Sequence, residues 1–332
     1  MATATTAVAA VRHLIVTQRR RAPGDDEDAL FERFRRREVR LDDGTVLQPT
    51  DVVPGGKFIW FYRLPAPERA VPGTLRLLYR DEHILVADKP PFMSTLPRGQ
   101  HITQTAVVRA RRQFGIDDLS PVHRLDRLTR GVLLFTVHRG SRAAYQQLFE
   151  RRMVSKTYEA VTPVPTGWQG TDFSLPGGSL TVPAGALHFA SPEQVLDVPG
   201  EEHPWELSHF LVKERGRLAT YIQPGTPNSI TRVTGVRFSS SGDRLVWTLK
   251  PATGKTHQLR VNMRLFAAPI VNDPIYSVVS DDALYNPDAE LPYVPSVDEE
   301  DFDRPMGLTA RELAFTDPYT GESRRFISSY GN

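Results

Sequence analysis

The chain has 332 residues, 40% of them hydrophobic and 24% charged, which is enough to bury a sizeable core and predicts one large domain, or a large domain with a small appendage. It contains no cysteine, which excludes disulfides, zinc–thiolate sites and thiol nucleophiles, fits a reducing compartment and leads us to expect a cytoplasmic location. No apolar run approaches the roughly 18 residues that a membrane helix needs, so we expect no membrane partner.

Positive charge is spread over most of the chain, although the formal net charge is only +2. The reason is one acidic block, residues 281–305, which holds nine acids and one arginine, a net −8, and leaves +10 on the rest. With its prolines and few aliphatic residues, this block predicts a solvated, mobile loop at about 280–305. The basic remainder is typical of a protein that binds an anionic partner.

The first 74 residues predict a tail, a small unit and a linker. MATATTAVAAVRHLIVTQRRR mixes Ala, Thr and Arg and predicts a disordered tail over residues 1–25. In the next stretch Leu30, Phe31 and Phe34 have helical spacing, and DDG and PGG separate short strands, which predicts a small α/β unit over 26–64. PAPERAVPGT, residues 65–74, is rich in proline and predicts a linker.

Residues 75–332 predict the large domain. LRLLYRDEHILVADKPP contains two short strands, and GVLLFTV, KTYEAVT and RLVWTLK each predict a further strand. TAVVRARRQFG, SRAAYQQLFERRM and THQLRVNMRLF predict helices, the second and third capped by Ser141 and Thr256. Residues 163–230 have weak periodicity and give no clear order. Strands joined mostly by short turns indicate an α+β fold with a mostly antiparallel or mixed sheet.

A single carboxylate among arginines stands out in the stretch HRLDRLTRG, where Asp126 has arginines at 124, 127 and 130. Such a carboxylate can be a simple surface ion pair. Alternatively, nearby guanidinium groups keep it deprotonated and available as a nucleophile at neutral pH.

Two further stretches carry chemistry. In SKTYEA, strand alternation puts Lys156 and Tyr158 on one face, where the tyrosine is either a core residue or a stacking surface for a base. In LKPATGKTHQLRVNM, His257, Arg260 and Arg264 share a helical face, which is either a solvated basic surface or part of an anion site at a helix start.

In this order the segments resemble the RluA-type pseudouridine synthase family. HRLDRLTRG, SKTYEA, GKTHQLRVNM and NDPIY match, ILVADKP and LTARELAFTDPYTGE extend the match to about residues 75–328, and LTA replaces a common LHA. The resemblance implies a pseudouridine synthase fold, a central and mostly antiparallel sheet flanked by helices. It also implies an isomerase that converts uridine to pseudouridine in RNA, without a metal or an organic cofactor. The N-terminal unit resembles the small S4-like RNA-binding domain that often precedes such a catalytic domain.

The resemblance also implies residue roles. Asp126 corresponds to the catalytic aspartate, Tyr158 to the tyrosine that packs on the target base, and Arg260 to the arginine that pairs with the aspartate. We expect Arg124 to fill the gap that a flipped-out uridine leaves, or to contact a phosphate. The residues expected to contact RNA are His123, Arg124, Arg127, Thr129, Lys156, Lys255, Thr256, His257 and Gln258. Arg130, Asn262 and the Asn272–Asp273 pair depart from the family pattern and bear on substrate choice.

Several alternatives remain open at this point. The aspartate can add to the sugar or abstract a proton to form a glycal. Two other classes of protein compete with the synthase, namely an inactive RNA-binding protein of the same fold and a hydrolase that uses Asp126 with His123 or His257. For the synthase we expect a monomer that acts on rRNA or tRNA.

Overall fold

The structure is a computed structural model that describes residues 4–331 except 19–20, 65, 100, 164–178, 182–203 and 266–267. The chain divides into two compact units, residues 1–69 with 98–103 and residues 70–97 with 104–332. The division after residue 69 falls within the predicted linker at 65–74. Nowhere in the described ranges does a helix have the length and apolar character that crossing a membrane requires.

The described residues of the smaller unit form two helices and two short strand pairs. Its elements are β1 (Thr5–Thr6), α1 (Ala7–Val16), α2 (Glu27–Arg35), β2 (Arg40–Leu41), β3 (Val52–Val53) and β4 (Ile59–Trp60), with β1 paired to β3 and β2 to β4. The helix predicted from Leu30, Phe31 and Phe34 is confirmed as α2, and Leu30 and Phe34 are buried. The Asp26 side chain caps it by accepting from the Ala29 amide at 3.0 Å.

The predicted disordered tail is wrong for residues 7–16, which form α1. Ala7, Val11 and Ile15 recur at helical spacing and pack in one cluster with Leu30 and Phe34 of α2. The stretch is rich in small residues, so its composition resembled that of a tail. A helix that docks on a neighbour needs only one apolar face, however, and three residues of α1 supply it.

In the part of the larger unit that the structure describes, twelve strands form one sheet. They are β5 (Arg76–Arg80), β6 (Ile84–Lys89), β7 (Ser120–Pro121), β8 (Arg130–Thr136), β9 (Val154–Pro163), β10 (Ser179–Thr181), β11 (Trp205–Val212), β12 (Tyr221–Gln223), β13 (Ser229–Phe238), β14 (Arg244–Pro251), β15 (Leu308–Thr316) and β16 (Ser323–Ile327). The order is β10-β11-β13-β14-β9-β15-β8-β6-β5, with β12 on β11, β16 on β15 and β7 on β8. Every described pairing is antiparallel except β8 with β15, which confirms the predicted fold class.

Among the described residues three α-helices accompany this sheet, α3 (Ala106–Phe114), α4 (Arg142–Glu150) and α5 (Gln258–Leu265), and all three were predicted. Thr256 is not the cap of α5. The helix starts later because His257 adopts a left-handed φ of 57°, and the His257 carbonyl accepts the first helical bond from Val261 at 2.9 Å.

Strands β6 and β8 are buried on both faces of the sheet, which explains their continuous apolar sequences. Leu85 and Leu133 pack in the main core, whereas Ile84 and Val132 pack in a second cluster on the opposite face. Gly131 at the start of β8 has a φ of 114°, and a Cβ there would lie 2.2 Å from the Ala310 carbonyl oxygen. The close approach of β8 to β15, just after the Asp126 loop, therefore requires glycine.

The composition of the acidic block at 281–305 predicted a solvated loop, but several of its residues are buried. It contains a short 3-10 turn (Asp282–Leu284) in which Ala283 and Leu284 are buried among the residues around α5. Further along, Val297 is buried and Phe302 packs against the main core. Apolar residues spaced through the block give it packing contacts that the charge count obscured.

Candidate active site

A cavity of about 630 Å³ opens beside the Asp126 loop, β9 and the start of α5. It collects eleven of the twelve residues that the sequence singled out for catalysis or RNA contact. These are His123, Arg124, Asp126, Thr129, Lys156, Tyr158, Lys255, Thr256, His257, Gln258 and Arg260. Segments distant in sequence thus meet in one concave site, the usual setting of a substrate pocket.

Asp126 lies in the loop between β7 and β8, and hydrogen bonds hold the backbone on both sides of it. The Thr95 hydroxyl accepts from the Leu125 amide at 3.1 Å and donates to the Leu125 carbonyl at 2.8 Å. The Lys89 ammonium donates to the Arg127 carbonyl at 3.2 Å. The carboxylate therefore stands on a fixed backbone, as a positioned reacting group requires.

Lys89, a residue that the sequence analysis missed, is fully buried at the end of β6. Besides Arg127, its ammonium donates to the carbonyls of Pro90 at 2.9 Å and Met93 at 2.8 Å. Burial lowers the pKa of Lys89 to about 7, and the negative charge of Asp126 opposes this shift. The sequence did carry a signal for this residue. A lysine at the end of the apolar strand ILVADKP is close to the core, and a lysine is buried only where it has hydrogen-bonding or charged partners.

Replacing Lys89 by methionine should lower the free energy of unfolding by about 2–4 kcal/mol at pH 7, because three carbonyls lose a buried donor. Between pH 7 and about 10 the unfolded chain holds this proton more tightly than the folded chain, so Lys89 makes wild-type stability rise with pH. The variant should lack that contribution. Urea unfolding at several pH values measures both effects, with the exposed Lys255→Met as control, and equal stability of the two variants would contradict this role.

Tyr158 lies on β9, between β14 and β15, and its ring packs against the main core. Burial raises the pKa of its hydroxyl, and the negative charge of Asp126 raises it further, so the hydroxyl stays protonated at neutral pH. The charge of Asp126 also acts on Lys89 and Arg260. These three side chains therefore share one electrostatic environment with the aspartate.

The predicted pairing of Arg260 with Asp126 is wrong, because Arg260 forms its salt bridge with Asp273. Its Nε and Nη2 atoms donate to the two carboxylate oxygens of Asp273 at 2.6 and 2.7 Å, and both side chains are buried. The amides of Ile275 and Tyr276 donate to the same carboxylate at 2.9 and 3.0 Å. Burial lowers the pKa of Arg260, but the charge and hydrogen bonds of Asp273 and then the charge of Asp126 outweigh it and raise that pKa.

His257 is held by the tyrosine of the NDPIY segment. Its Nδ1 lies 3.1 Å from the Tyr276 hydroxyl, which also accepts from the Thr220 amide at 2.8 Å. Burial, followed by the positive charge of Arg260, lowers the pKa of His257 well below its ordinary value. The imidazole is therefore neutral at pH 7 and can form a hydrogen bond with a ligand but not an ion pair.

His123 forms part of the cavity wall. Its ring stacks on Phe149 with centroids 4.8 Å apart, and its Nε2 accepts from the Leu134 amide at 3.2 Å. Burial lowers the pKa of His123 to about 3, so the ring is neutral. His123, a predicted RNA contact, therefore packs within the cavity wall and carries no charge for an ion pair with a phosphate.

Gln258 likewise hydrogen-bonds within the protein. Its Oε1 accepts from the Thr253 hydroxyl at 2.8 Å and the Lys255 amide at 3.0 Å. Its Nε2 donates to the Ile230 carbonyl at 3.0 Å and the Thr231 hydroxyl at 2.8 Å. All four hydrogen-bonding positions of the amide are filled, so the RNA contact predicted for Gln258 has no free group to make it.

The predicted basic residues differ in what they can offer a ligand. Arg124 and Lys255 are exposed at the cavity. The Lys156 ammonium donates to the Thr253 carbonyl at 3.3 Å, and burial lowers its pKa. Arg127 does not line the cavity and instead pairs with Glu300 of the acidic block.

A possible metal-ligating group lies outside the cavity. Among the residues that the structure describes, Glu82, His83 and His138 place one ligand atom each within 4.8 Å of the others. The Ser141 hydroxyl lies 3.1 Å from His138 Nδ1 and 3.4 Å from His83 Nδ1. None of these residues lines the cavity.

Comparison with known proteins places the cavity in a family context. A sequence model described as RNA pseudouridylate synthase matches residues 83–265. This range contains the Asp126 loop, Tyr158 and Arg260.

Among similar proteins, the dual-specificity RNA pseudouridine synthase RluA of Haemophilus influenzae is 26% identical over 76% of this chain and 91% of its own length. The ribosomal large subunit pseudouridine synthase D of Pseudomonas aeruginosa is 28% identical over 70% of this chain and 64% of its own. The match spans only 36% of the human pseudouridylate synthase RPUSD2. The solved human RNA pseudouridylate synthase domain containing 1 has a TM-score of 0.49 at 20% identity, over 78% of this chain and 86% of that one.

Proposed function

Because the chain belongs to the RNA pseudouridylate synthase family, as a member of its RluA type, we propose that it isomerises specific uridines in a structured rRNA or tRNA to pseudouridine. Relatives of the chain are named for the large ribosomal subunit and for tRNA. The observation that carries the proposal is the Asp126 carboxylate, which stands on a fixed loop in a cavity lined by basic and aromatic side chains.

The reaction sets what the site must do. The bond between N1 of the base and C1′ of the sugar breaks, the base rotates, and a bond forms between C5 and C1′. The hydrogen on C5 leaves as a proton and N1 gains a proton, so no oxidant or reductant is consumed. The protein must therefore hold a flipped-out nucleotide, stabilise charge during bond breakage and move protons.

In this proposal Asp126 is the reacting group, either by adding to C1′ or by taking the proton from C2′ to form a glycal. Tyr158 packs its ring on the target base, and its protonated hydroxyl is a donor rather than a base. Arg260 supplies fixed positive charge near Asp126 while Asp273 holds it. Arg124 and Lys255, which are exposed at the cavity, bind phosphates that flank the target uridine or fill the gap that the flipped-out uridine leaves in the RNA.

A hydrolase gains no support from the geometry. Within the described part of the chain neither His123 nor His257 hydrogen-bonds Asp126, and burial makes both rings weak bases by lowering their pKa. An inactive RNA-binding protein of the same fold is the stronger competitor. It would have no need for a carboxylate fixed beside a buried lysine, a tyrosine and an arginine, and this constellation favours catalysis.

One experiment separates these classes. The purified protein is incubated with total RNA that lacks modifications, and pseudouridine is mapped by chemical probing. New pseudouridine at discrete positions is the expected result. A gel shift without new sites would indicate a binding protein, and cleaved RNA would indicate a hydrolase.

Two substitutions of Tyr158 test its ring as the base platform. Tyr158→Phe should bind RNA with 5-fluorouridine at the mapped position nearly as tightly as wild type, whereas Tyr158→Ala should lose about 1–3 kcal/mol of binding free energy. The fluorine replaces the hydrogen that must leave, so the complex reports binding. Equal dissociation constants for the two variants would show that the ring is not the platform, and the exposed Tyr293→Ala serves as control.

A further inference from the structure

The acidic block contacts the loop that carries Asp126. Glu300 accepts from both terminal nitrogens of Arg127, at 2.5 and 2.8 Å. The Arg127 side chain is 22% exposed and that of Glu300 is 12% exposed. The pair is therefore largely shielded from water, unlike an ordinary surface ion pair.

The segment around Glu300 is anchored next to the same loop. The Phe302 ring lies 5.1 Å from that of Phe92, in an edge-to-face arrangement. Phe92 precedes Met93, whose carbonyl accepts from Lys89. Glu300 therefore belongs to the packing around the Asp126 loop and is not carried by a freely solvated strand.

Arg127 is consequently held at two points. Lys89 holds its carbonyl oxygen at 3.2 Å, and Glu300 holds its guanidinium. Because Arg127 directly follows Asp126, fixing both its backbone and its side chain limits the rotation of the peptide next to the carboxylate. A displacement of about 1 Å at a reacting group can cost on the order of a hundredfold in rate.

We propose that Glu300 is a positioning residue, which clamps Arg127 and thereby holds the Asp126 carboxylate in its reacting position. This inference rests on the proposed function and assigns a role to the acidic block. This role differs from electrostatic masking, in which an acidic segment covers basic residues until RNA phosphates displace it. RNA can displace an acid from an exposed arginine, but it would have to break a mostly buried ion pair to reach Arg127.

The test uses Glu300→Gln and, as matched control, Glu290→Gln, which removes the same charge from an exposed position of the same block. Single-turnover rates at saturating RNA and dissociation constants at several salt concentrations are measured for both. We expect the Glu300→Gln rate to fall about tenfold while its Kd stays within twofold of wild type and its salt slope is unchanged. Glu290→Gln should match wild type in all three.

The charge swap Arg127→Glu with Glu300→Arg rebuilds the pair in reverse and should recover more rate than Arg127→Glu alone. Urea midpoints of all variants show whether the fold is intact at the assay temperature. Tighter RNA binding by Glu300→Gln with a steeper salt slope would overturn the proposal and make Glu300 a mask. An unchanged rate in Glu300→Gln would overturn it too, whereas a wild type that forms no pseudouridine would overturn the proposed function together with this role.

Discussion

Asp126→Asn is expected to abolish pseudouridine formation, with a loss of at least about a thousandfold in single-turnover rate. The amide keeps the shape of the carboxylate but can neither add to C1′ nor accept a proton from C2′. Because Thr95 and Lys89 hold the loop through its backbone, the substitution should leave the fold unchanged. RNA affinity should stay within a few-fold of wild type.

The control for this substitution is Asp117→Asn, which neutralises an exposed carboxylate of the same unit. Rates are measured at saturating RNA, so that a change in binding does not imitate a change in chemistry. A variant that modifies RNA near the wild-type rate would remove Asp126 from the reaction. Loss of binding in parallel with activity would instead give it a role in holding RNA.

Arg260→Met is expected to lower the free energy of unfolding by about 3–5 kcal/mol, because it leaves the buried Asp273 carboxylate without its partner. Activity should fall as well, since the positive charge near Asp126 is lost. Chemical denaturation measures the first effect and single-turnover kinetics the second.

A double variant, Arg260→Met with Asp273→Asn, separates the two effects. Asparagine at 273 still accepts from the amides of Ile275 and Tyr276 but carries no unpaired charge, so much of the lost stability should return. If Arg260 acts on the reaction, activity stays low in the double variant. Recovery of activity together with stability would reduce Arg260 to a structural residue.

The residues that line the cavity were largely predictable, because each of them belongs to a short motif with a recognisable pattern of charged, aromatic or apolar residues. Asp126 precedes a buried strand, and Tyr158 lies on another strand whose side chains alternate between the two faces. The placement of both residues therefore follows from strand geometry and the order of the motifs. The sheet order brings β8 and β9 to opposite sides of β15 and so joins two segments that sequence alone leaves apart.

Partner choice was not predictable. Arg260 has two carboxylates within electrostatic reach, and only the turn after Asn272 decides that Asp273 takes the salt bridge. Arg127 looked like an RNA contact because its partner, Glu300, is distant in sequence. The local sequence shows that a charged side chain is present, but the tertiary fold determines which oppositely charged side chain it pairs with.

Average composition gave the wrong expectation for two segments, in both cases because a few buried apolar residues order a segment that is otherwise polar or made of small residues. In α1 three apolar side chains on one face suffice for docking. In the acidic block Leu284, Val297 and Phe302 pack against the protein while most of the charges stay outside. Burying a valine, leucine, isoleucine or phenylalanine side chain contributes about 1.5–3 kcal/mol, so a few of them are enough to order a segment whose mean hydropathy is that of a loop.

The most direct measurement of the central claim is tritium release from RNA labelled at C5 of uridine. Isomerisation must expel the C5 hydrogen, so each uridine that is converted to pseudouridine releases its tritium to water. Wild type should release tritium to a plateau equal to the number of mapped sites, and Asp126→Asn should release none while still binding the RNA. Release by Asp126→Asn at the wild-type rate, or no release by folded, RNA-bound wild type, would contradict the account.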